Sequence, residues 1–141
     1  MTSSPIAPTA AQPPTFAQAL ALHQGGQLAQ AHAAYVHIVQ HQSDHADAWH
    51  GLGVIALQVG DPAAAVECIG RAIAIQPDNF GFYINHGSAL QALQQPQAAL
   101  ASFERAIALR PDIADAHYNR GVALQSLNRP ADAVTSYDQV L

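Results

Sequence analysis

The chain of 141 residues is half hydrophobic and only 11% charged, with five arginines, no lysine and ten acidic residues, for a formal charge of −5. This balance excludes disorder of the whole chain and, without a basic cluster, argues against partners such as nucleic acid or an anionic membrane surface. One cysteine excludes an internal disulfide framework. No apolar run approaches the roughly 20 residues that span a bilayer, and no secretory signal is evident, so we predict a cytoplasmic protein.

The first predicted element is a mobile leader over residues 1–13, because this stretch is rich in Pro, Ser, Thr and Ala and has little to bury. Helical periodicity begins near Thr15 and ends at Gly25 and Gly26, since glycine supplies the left-handed backbone that stops a helix. A second helix is predicted over residues 27–41. Together the two segments form a first helix pair.

Three further helix pairs follow the same plan along the chain. Their first helices are predicted over residues 47–59, 80–93 and 114–127. Their second helices start at Pro62, Pro96 and Pro130, because the first position of a helix needs no N–H group. Asp61 is the predicted cap of the first of these, and the helices at 62 and 96 are expected to end near residues 75 and 109.

The pairs repeat at an interval of 34 residues. The interval is kept by glycines, alanines and large residues, namely Gly53, Gly87 and Gly121, then Ala65, Ala99 and Ala133, then Ile69, Phe103 and Tyr137. Small side chains let two antiparallel helices approach closely, while the large ones fill the space around that contact. A fixed period of this size is typical of a stacked array in which each unit buries its apolar face against its neighbours.

This pattern resembles the tetratricopeptide repeat (TPR). The second unit carries the family positions as Trp49, Leu52, Gly53, Ala56, Ala65, Ile69, Ala72 and Pro77, and the third as Tyr83, His86, Gly87, Leu90, Ala99, Phe103, Ala106 and Pro111. The fourth has His117, Arg120, Gly121, Leu124, Ala133, Tyr137 and Val140. The resemblance implies an all-α, right-handed superhelical solenoid over residues 14–141, with units at about 12–45, 46–79, 80–113 and a truncated 114–141.

The sequence departs from the family pattern at several positions. His86 and Arg120 stand where the family often has leucine, which predicts a wetter junction between units. Gln94 and Asn128 replace a frequent glycine. The last unit ends in apolar residues such as Val134 rather than in a polar face, which predicts either a longer array or self-association through an uncapped last helix.

The resemblance also implies that the first helix of each pair lines a concave groove. The implied groove residues are Asp47, His50, Val54, Leu57 and Gln58, then Ile84, Asn85, Ser88, Gln91 and Ala92, then Asp115, Tyr118, Asn119, Val122, Gln125 and Ser126. This lining mixes apolar and amide groups with acidic residues at one edge. It suits an extended peptide held by hydrogen bonds and shallow apolar contacts.

Two of these residues, Asn85 and Asn119, resemble the asparagine ladder in the superhelix of O-linked N-acetylglucosamine transferase. An amide binds a peptide backbone as donor and acceptor at once, although Gly51 and Ala17 interrupt the series. Solvated helix residues are the alternative interpretation. The resemblance therefore leaves two hypotheses: a non-enzymatic protein–protein interaction module, or the amino-terminal substrate-recognition segment of a larger bacterial glycosyltransferase. Without lysine, a basic clamp for a terminal carboxylate is not expected.

No residue pattern indicates catalysis, a cofactor or a metal site. His37, His41 and His45 are spaced by four, but no carboxylate or cysteine completes a closed site, so solvated histidines are the favoured interpretation. Their common protonation in acid is expected to loosen the first pair. Cys68 has no His or cationic neighbour that would activate it, which favours a packed thiol.

Overall fold

A computed structural model describes residues 12–140. It contains eight helices: α1 (Phe16–Gln24), α2 (Leu28–His41), α3 (Ala46–Gln58), α4 (Pro62–Ile75), α5 (Phe80–Ala92), α6 (Pro96–Leu109), α7 (Ala114–Ser126) and α8 (Pro130–Asp138). Each helix packs against the next along the chain, so the helices form four units, and this part of the chain has no strand. The predicted all-helical repeat is confirmed. The predicted leader falls, but for its last two residues, outside the described range.

Polar side chains and prolines start several helices, among them the predicted Asp61 and Pro62. The carboxylate of Asp61 accepts a hydrogen bond from the Ala64 N–H at 3.2 Å, and Pro62 takes the first helical position of α4. In α5 the amide oxygen of Asn79 accepts from the Gly81 N–H at 3.0 Å. These contacts satisfy backbone donors that have no partner inside the helix. Local sequence thus fixes where these helices begin.

The turn between the two helices of each unit has one residue in the left-handed region. This residue is Gly26 (φ 79°), Gly60 (φ 82°), Gln94 (φ 58°) and Asn128 (φ 60°) in the four units. Asparagine tolerates this conformation better than most side chains, whereas glutamine has no such advantage. The turn at Gln94 therefore carries a conformational cost of roughly 1–2 kcal/mol that glycine would avoid.

The close contact within a unit depends on glycine in the first helix and a large residue in the second. A Cβ atom added to Gly87 would lie 2.5 Å from a ring carbon of Phe103, and Gly121 is covered in the same way by Tyr137. The first unit has Ala19 at this position. The ring of Tyr35, from the second helix of that unit, lies over Gly51 of the second unit.

The array curves because the two helices of a unit are not equivalent. Neighbouring first helices contact one another, α1 with α3, α3 with α5 and α5 with α7. Between residues 12 and 140 no second helix comes within contact distance of another second helix. The first helices therefore lie on the inner, concave side of the solenoid.

The last unit exposes apolar side chains outside the concave side. Val134 and Val140 in the last unit are 58% and 38% exposed. Self-association through this region stays a prediction.

Among the described helices, none has both the length and the apolar character that a membrane crossing requires.

Candidate functional site

The concave face of α3, α5 and α7 carries the residues that were predicted to line a groove. The structure leaves none of them fully buried. His50, Val54, Ile84, Asn85 and Val122 are among those that are half-buried, whereas the exposed members are Asp47, Gln58, Ala92, Asp115, Tyr118, Gln125 and Ser126. The predicted residues are therefore accessible to a ligand, and their role in binding stays a prediction.

Three hydrogen bonds connect neighbouring first helices across this face. They run from His23 Nε2 to Gln58 Oε1 at 2.7 Å, from Asn85 Nδ2 to His50 Nε2 at 2.7 Å, and from Gln91 Nε2 to Ser126 Oγ at 2.8 Å. Each joins residues 35 positions apart, one more than the repeat. Sequence inspection missed these bonds, because a period of 34 marks equivalent positions and not the pairs that touch. They fix polar groups of the groove before any ligand arrives.

The asparagine ladder does not form a continuous series here. Asn85 donates to His50 in the neighbouring unit. At the equivalent position of the second unit, Gly51 is covered by the ring of Tyr35, which leaves no room for a side chain. Asn119 is half-buried. The asparagine series thus has one amide engaged in a protein contact and one interruption.

A cavity of about 440 Å³ lies at the end of the groove between the first and second units. Phe16, Leu20 and Val54 provide its apolar walls, and Asp47 and His50 lie on its polar side. We call it the end pocket. Its volume falls within the range of about 300–1,000 Å³ that is typical of ligand sites.

The histidines of the end pocket are held by hydrogen bonds. His23 Nδ1 lies 3.1 Å from the hydroxyl of Tyr35, and its Nε2 contacts Gln58. Burial lowers the pKa of His50 below its ordinary value; the nearby charge of Asp47 opposes this effect, and that of His23 adds to it. A neutral ring fits the bond that His50 Nε2 accepts from Asn85.

All arginines contact groups away from the predicted groove positions. Arg71, Arg105 and Arg110 lie over the rings of Trp49, Tyr83 and Phe80, at 4.8, 5.8 and 5.1 Å from the ring centroids. Arg129 pairs with Asp132 at 2.9 Å, and Arg120 donates to Ser136. The charged side chains at groove positions are Asp47 and Asp115, so the groove is acidic.

A family model for the tetratricopeptide repeat matches residues 16–80 and 84–141. This chain belongs to the tetratricopeptide repeat family. No curated protein matches its sequence. Among solved structures it is similar to a crystal structure of MamA protein, with a TM-score of 0.84 and 20% identity over 89% of this chain and 69% of that one.

Two further MamA structures give the same result. One matches with a TM-score of 0.82 and 24% identity over 86% of this chain and 71% of that one. MamA 41-end from Desulfovibrio magneticus RS-1 matches with a TM-score of 0.82 and 18% identity over 89% and 71%. At these identities the likeness shows the TPR solenoid fold alone. The resemblance to the glycosyltransferase superhelix finds no support in these comparisons.

The two polar departures from the TPR pattern are half-buried, and each is paired with a buried serine. His86 Nδ1 lies 2.9 Å from Ser102 Oγ, and Arg120 Nε donates to Ser136 Oγ at 2.9 Å. Both pairs join the two helices of one unit, and His86 and Ser102 also line a cavity of about 270 Å³ with Gly70 and Ile73 of the second unit, so the wetter junction between units stays a prediction. Each serine lies opposite the polar residue 16 positions before it in the sequence, which supplies the partner that a buried polar group needs.

The second TPR unit has an apolar version of the same pair. Leu52 and Cys68 occupy the positions of His86 and Ser102. Cys68 is half-buried against the core, and burial raises the pKa of its thiol. The thiol is therefore mainly protonated at neutral pH, as a packing group would be.

Because Leu52 and Cys68 replace His86 and Ser102 in the second unit, the same replacement in the third unit should reduce the pH dependence of stability. Burial lowers the pKa of His86 in the folded chain. Below about pH 6.5 this histidine is therefore protonated more readily in the unfolded chain than in the folded chain. Stability should fall as the pH is lowered through this range. We expect the double variant His86→Leu, Ser102→Cys to lose less melting temperature between pH 7.5 and pH 5.5 than the wild type. An equal loss in both proteins would contradict this assignment.

Of the three histidines at the end of α2 and the start of α3, His41 is exposed, as the sequence predicted, whereas His37 and His45 are half-buried. His37 is half-buried, both its ring nitrogens lack a hydrogen-bond partner in the described range, and its ring lies 4.1 Å from that of His41. His45 Nδ1 accepts from the Ala48 N–H at 3.1 Å and caps α3. The prediction failed for His37 and His45, because sequence spacing does not show that the His37 ring nitrogens are buried or that His45 caps the next helix. Residues 12–140 contain no group of three or more potential ligands placed to hold a metal.

Proposed function

We propose that this chain is a non-catalytic protein–protein interaction module whose concave groove binds an extended peptide or protein segment. One observation carries the proposal: the first helices present a continuous accessible face, at which neighbouring units contact each other and polar side chains are already held in place. Groups ordered before binding lose less conformational entropy when a ligand arrives.

The chemistry of the groove supports a peptide over other partner classes. Apolar side chains such as Val54 and Val122 alternate with amides, an arrangement that fits side chains and backbone groups of an extended segment. No arginine lies at a groove position, so the surface lacks the basic groups that nucleic acid and anionic membranes require. A cytoplasmic location, a domain over residues 14–141 and action without a cofactor are parts of the same proposal.

The glycosyltransferase alternative has no observation in its favour. The amide series that suggested it is interrupted where Tyr35 covers Gly51, and Asn85 is bonded to His50. We therefore base the proposed function on the groove alone.

Tyr118 is the groove residue with which the proposal is best tested. Its side chain is 54% exposed, and its ring lies 5.7 Å from that of Tyr137. Exposed tyrosines frequently dominate binding energy at interfaces. Peptides should be selected from a random displayed library on the immobilised chain and then titrated in solution. We expect Tyr118→Ala to weaken their binding about tenfold.

The matched control for this experiment is Val134→Ala. Val134 is 58% exposed but lies on α8, a second helix outside the groove. The control should bind the selected peptides as the wild type does. Failure to select any binding peptide, or equal weakening by both substitutions, would refute a groove of this kind.

A further inference from the structure

The end pocket has features that the rest of the groove lacks. Phe16 and Leu20 from the first unit face Val54 from the second across a cavity of about 440 Å³. Leu20 is 37% exposed, and Phe16 and Val54 are half-buried. Apolar walls of this kind accommodate the hydrocarbon part of a long side chain, whose polar end then reaches outward.

The polar groups of the end pocket differ in how far they are satisfied. His23 uses both ring nitrogens, towards Tyr35 and Gln58, and His50 accepts from Asn85. Asp47 is exposed and forms no ion pair with any residue from 12 to 140. Among the residues that line the pocket it is the only acidic one. The pocket therefore contains one carboxylate that forms no ion pair within the described residues.

The position of Asp47 in the first turn of α3 does not by itself account for this carboxylate. Acidic residues favour the start of a helix, but the equivalent position of the third unit is Gly81, so the repeat does not require one there. The aromatic groups supply an independent feature. The ring centroids of Phe16 and Tyr35 lie 6.0 Å apart, and both residues line the pocket. Aromatic faces attract cations when these come within about 6 Å.

We propose that the end pocket binds a cationic side chain, lysine or arginine, of the peptide that occupies the groove. The inference rests on the proposed function and adds a preference to it. The aliphatic stem lies against Phe16, Leu20 and Val54, and the charged group pairs with Asp47. The arginines of this chain are engaged outside the groove, so none of them competes for this carboxylate.

The experiment is a double-mutant cycle between the chain and a selected peptide. The peptide is synthesised with its basic residue and again with glutamine at the same position, and both are titrated against the wild type and Asp47→Asn. We expect Asp47→Asn to weaken the basic peptide by about tenfold and the glutamine peptide by less than about twofold. Added salt should reduce the difference. Asp115→Asn, at the equivalent position of the fourth unit, should leave the coupling unchanged.

The outcomes separate this inference from the proposed function. The inference would be wrong if the selected peptides depended on Tyr118 but showed no enrichment in lysine or arginine, or no coupling to Asp47. The proposed function of the groove would then still stand. Absence of any groove-binding peptide would overturn both. Arginine amide alone is the remaining probe. If it bound as tightly as the peptide, the pocket would serve a free small molecule, and the inference would be wrong.

Discussion

Replacing Phe103 with alanine is expected to lower the free energy of unfolding by about 3–5 kcal/mol. The side chain is 1% exposed and belongs to a core cluster with Leu90, Leu100 and Leu124. This cluster includes residues of the third and fourth units, so the cavity would weaken the contact between the units as well as the contact within one. Chemical denaturation followed by circular dichroism measures the change.

The control for this prediction is an aromatic residue that contributes little to the core. Tyr118 is 54% exposed, and Tyr118→Ala should change the free energy of unfolding by no more than about 0.5 kcal/mol. If Phe103→Ala cost as little as Tyr118→Ala, the packing of the third unit described here would be wrong. The same control shows that Tyr118→Ala is folded when its peptide binding is measured.

Replacing Gly87 with alanine is expected to cost about 1–3 kcal/mol, although alanine is the better helix former. The new methyl group would lie 2.5 Å from the ring of Phe103, which is itself enclosed and cannot move aside without disturbing the core. Steric overlap therefore outweighs the gain in helix propensity. Thermal and chemical unfolding of the variant measure the balance.

Gly70 offers the matched comparison, because it lies inside α4 and a Cβ added there would meet no atom within 4 Å. Gly70→Ala should stabilise the chain by about 0.5–1 kcal/mol through the reduced entropy of the unfolded state. Stabilisation by both substitutions would show that the helices of the third unit are not in close contact at Gly87.

The fold could be predicted from the sequence because its determinants are local and repeated. Asp61 and Pro62 mark the start of α4, and the paired glycines and large residues mark where two helices meet. The same signals recur in several units, so each supports the others. The polar pairing of His86 with Ser102 was not predicted, since spacing shows equivalent positions and does not show which side chains point toward each other.

The site was less predictable than the fold for a physical reason. Sequence spacing identified the exposed face of the first helices, but the contacts on it depend on how one unit is placed against the next. Ala19 stands where the later units have glycine, and the ring of Tyr35 lies over Gly51 of the next unit. The Tyr35 hydroxyl also lies 3.1 Å from His23 Nδ1, and both residues line the end pocket. No pattern within a single unit indicates it.

The central claim is that the concave face of the first helices is the binding surface. Nuclear magnetic resonance of the isotopically labelled chain, titrated with a selected peptide, tests it most directly by locating the residues whose amide signals shift. The account predicts that the largest shifts lie on α3, α5 and α7, at residues such as Val54, Ser88 and Tyr118. Shifts concentrated on the exposed faces of α4 and α6 would contradict it.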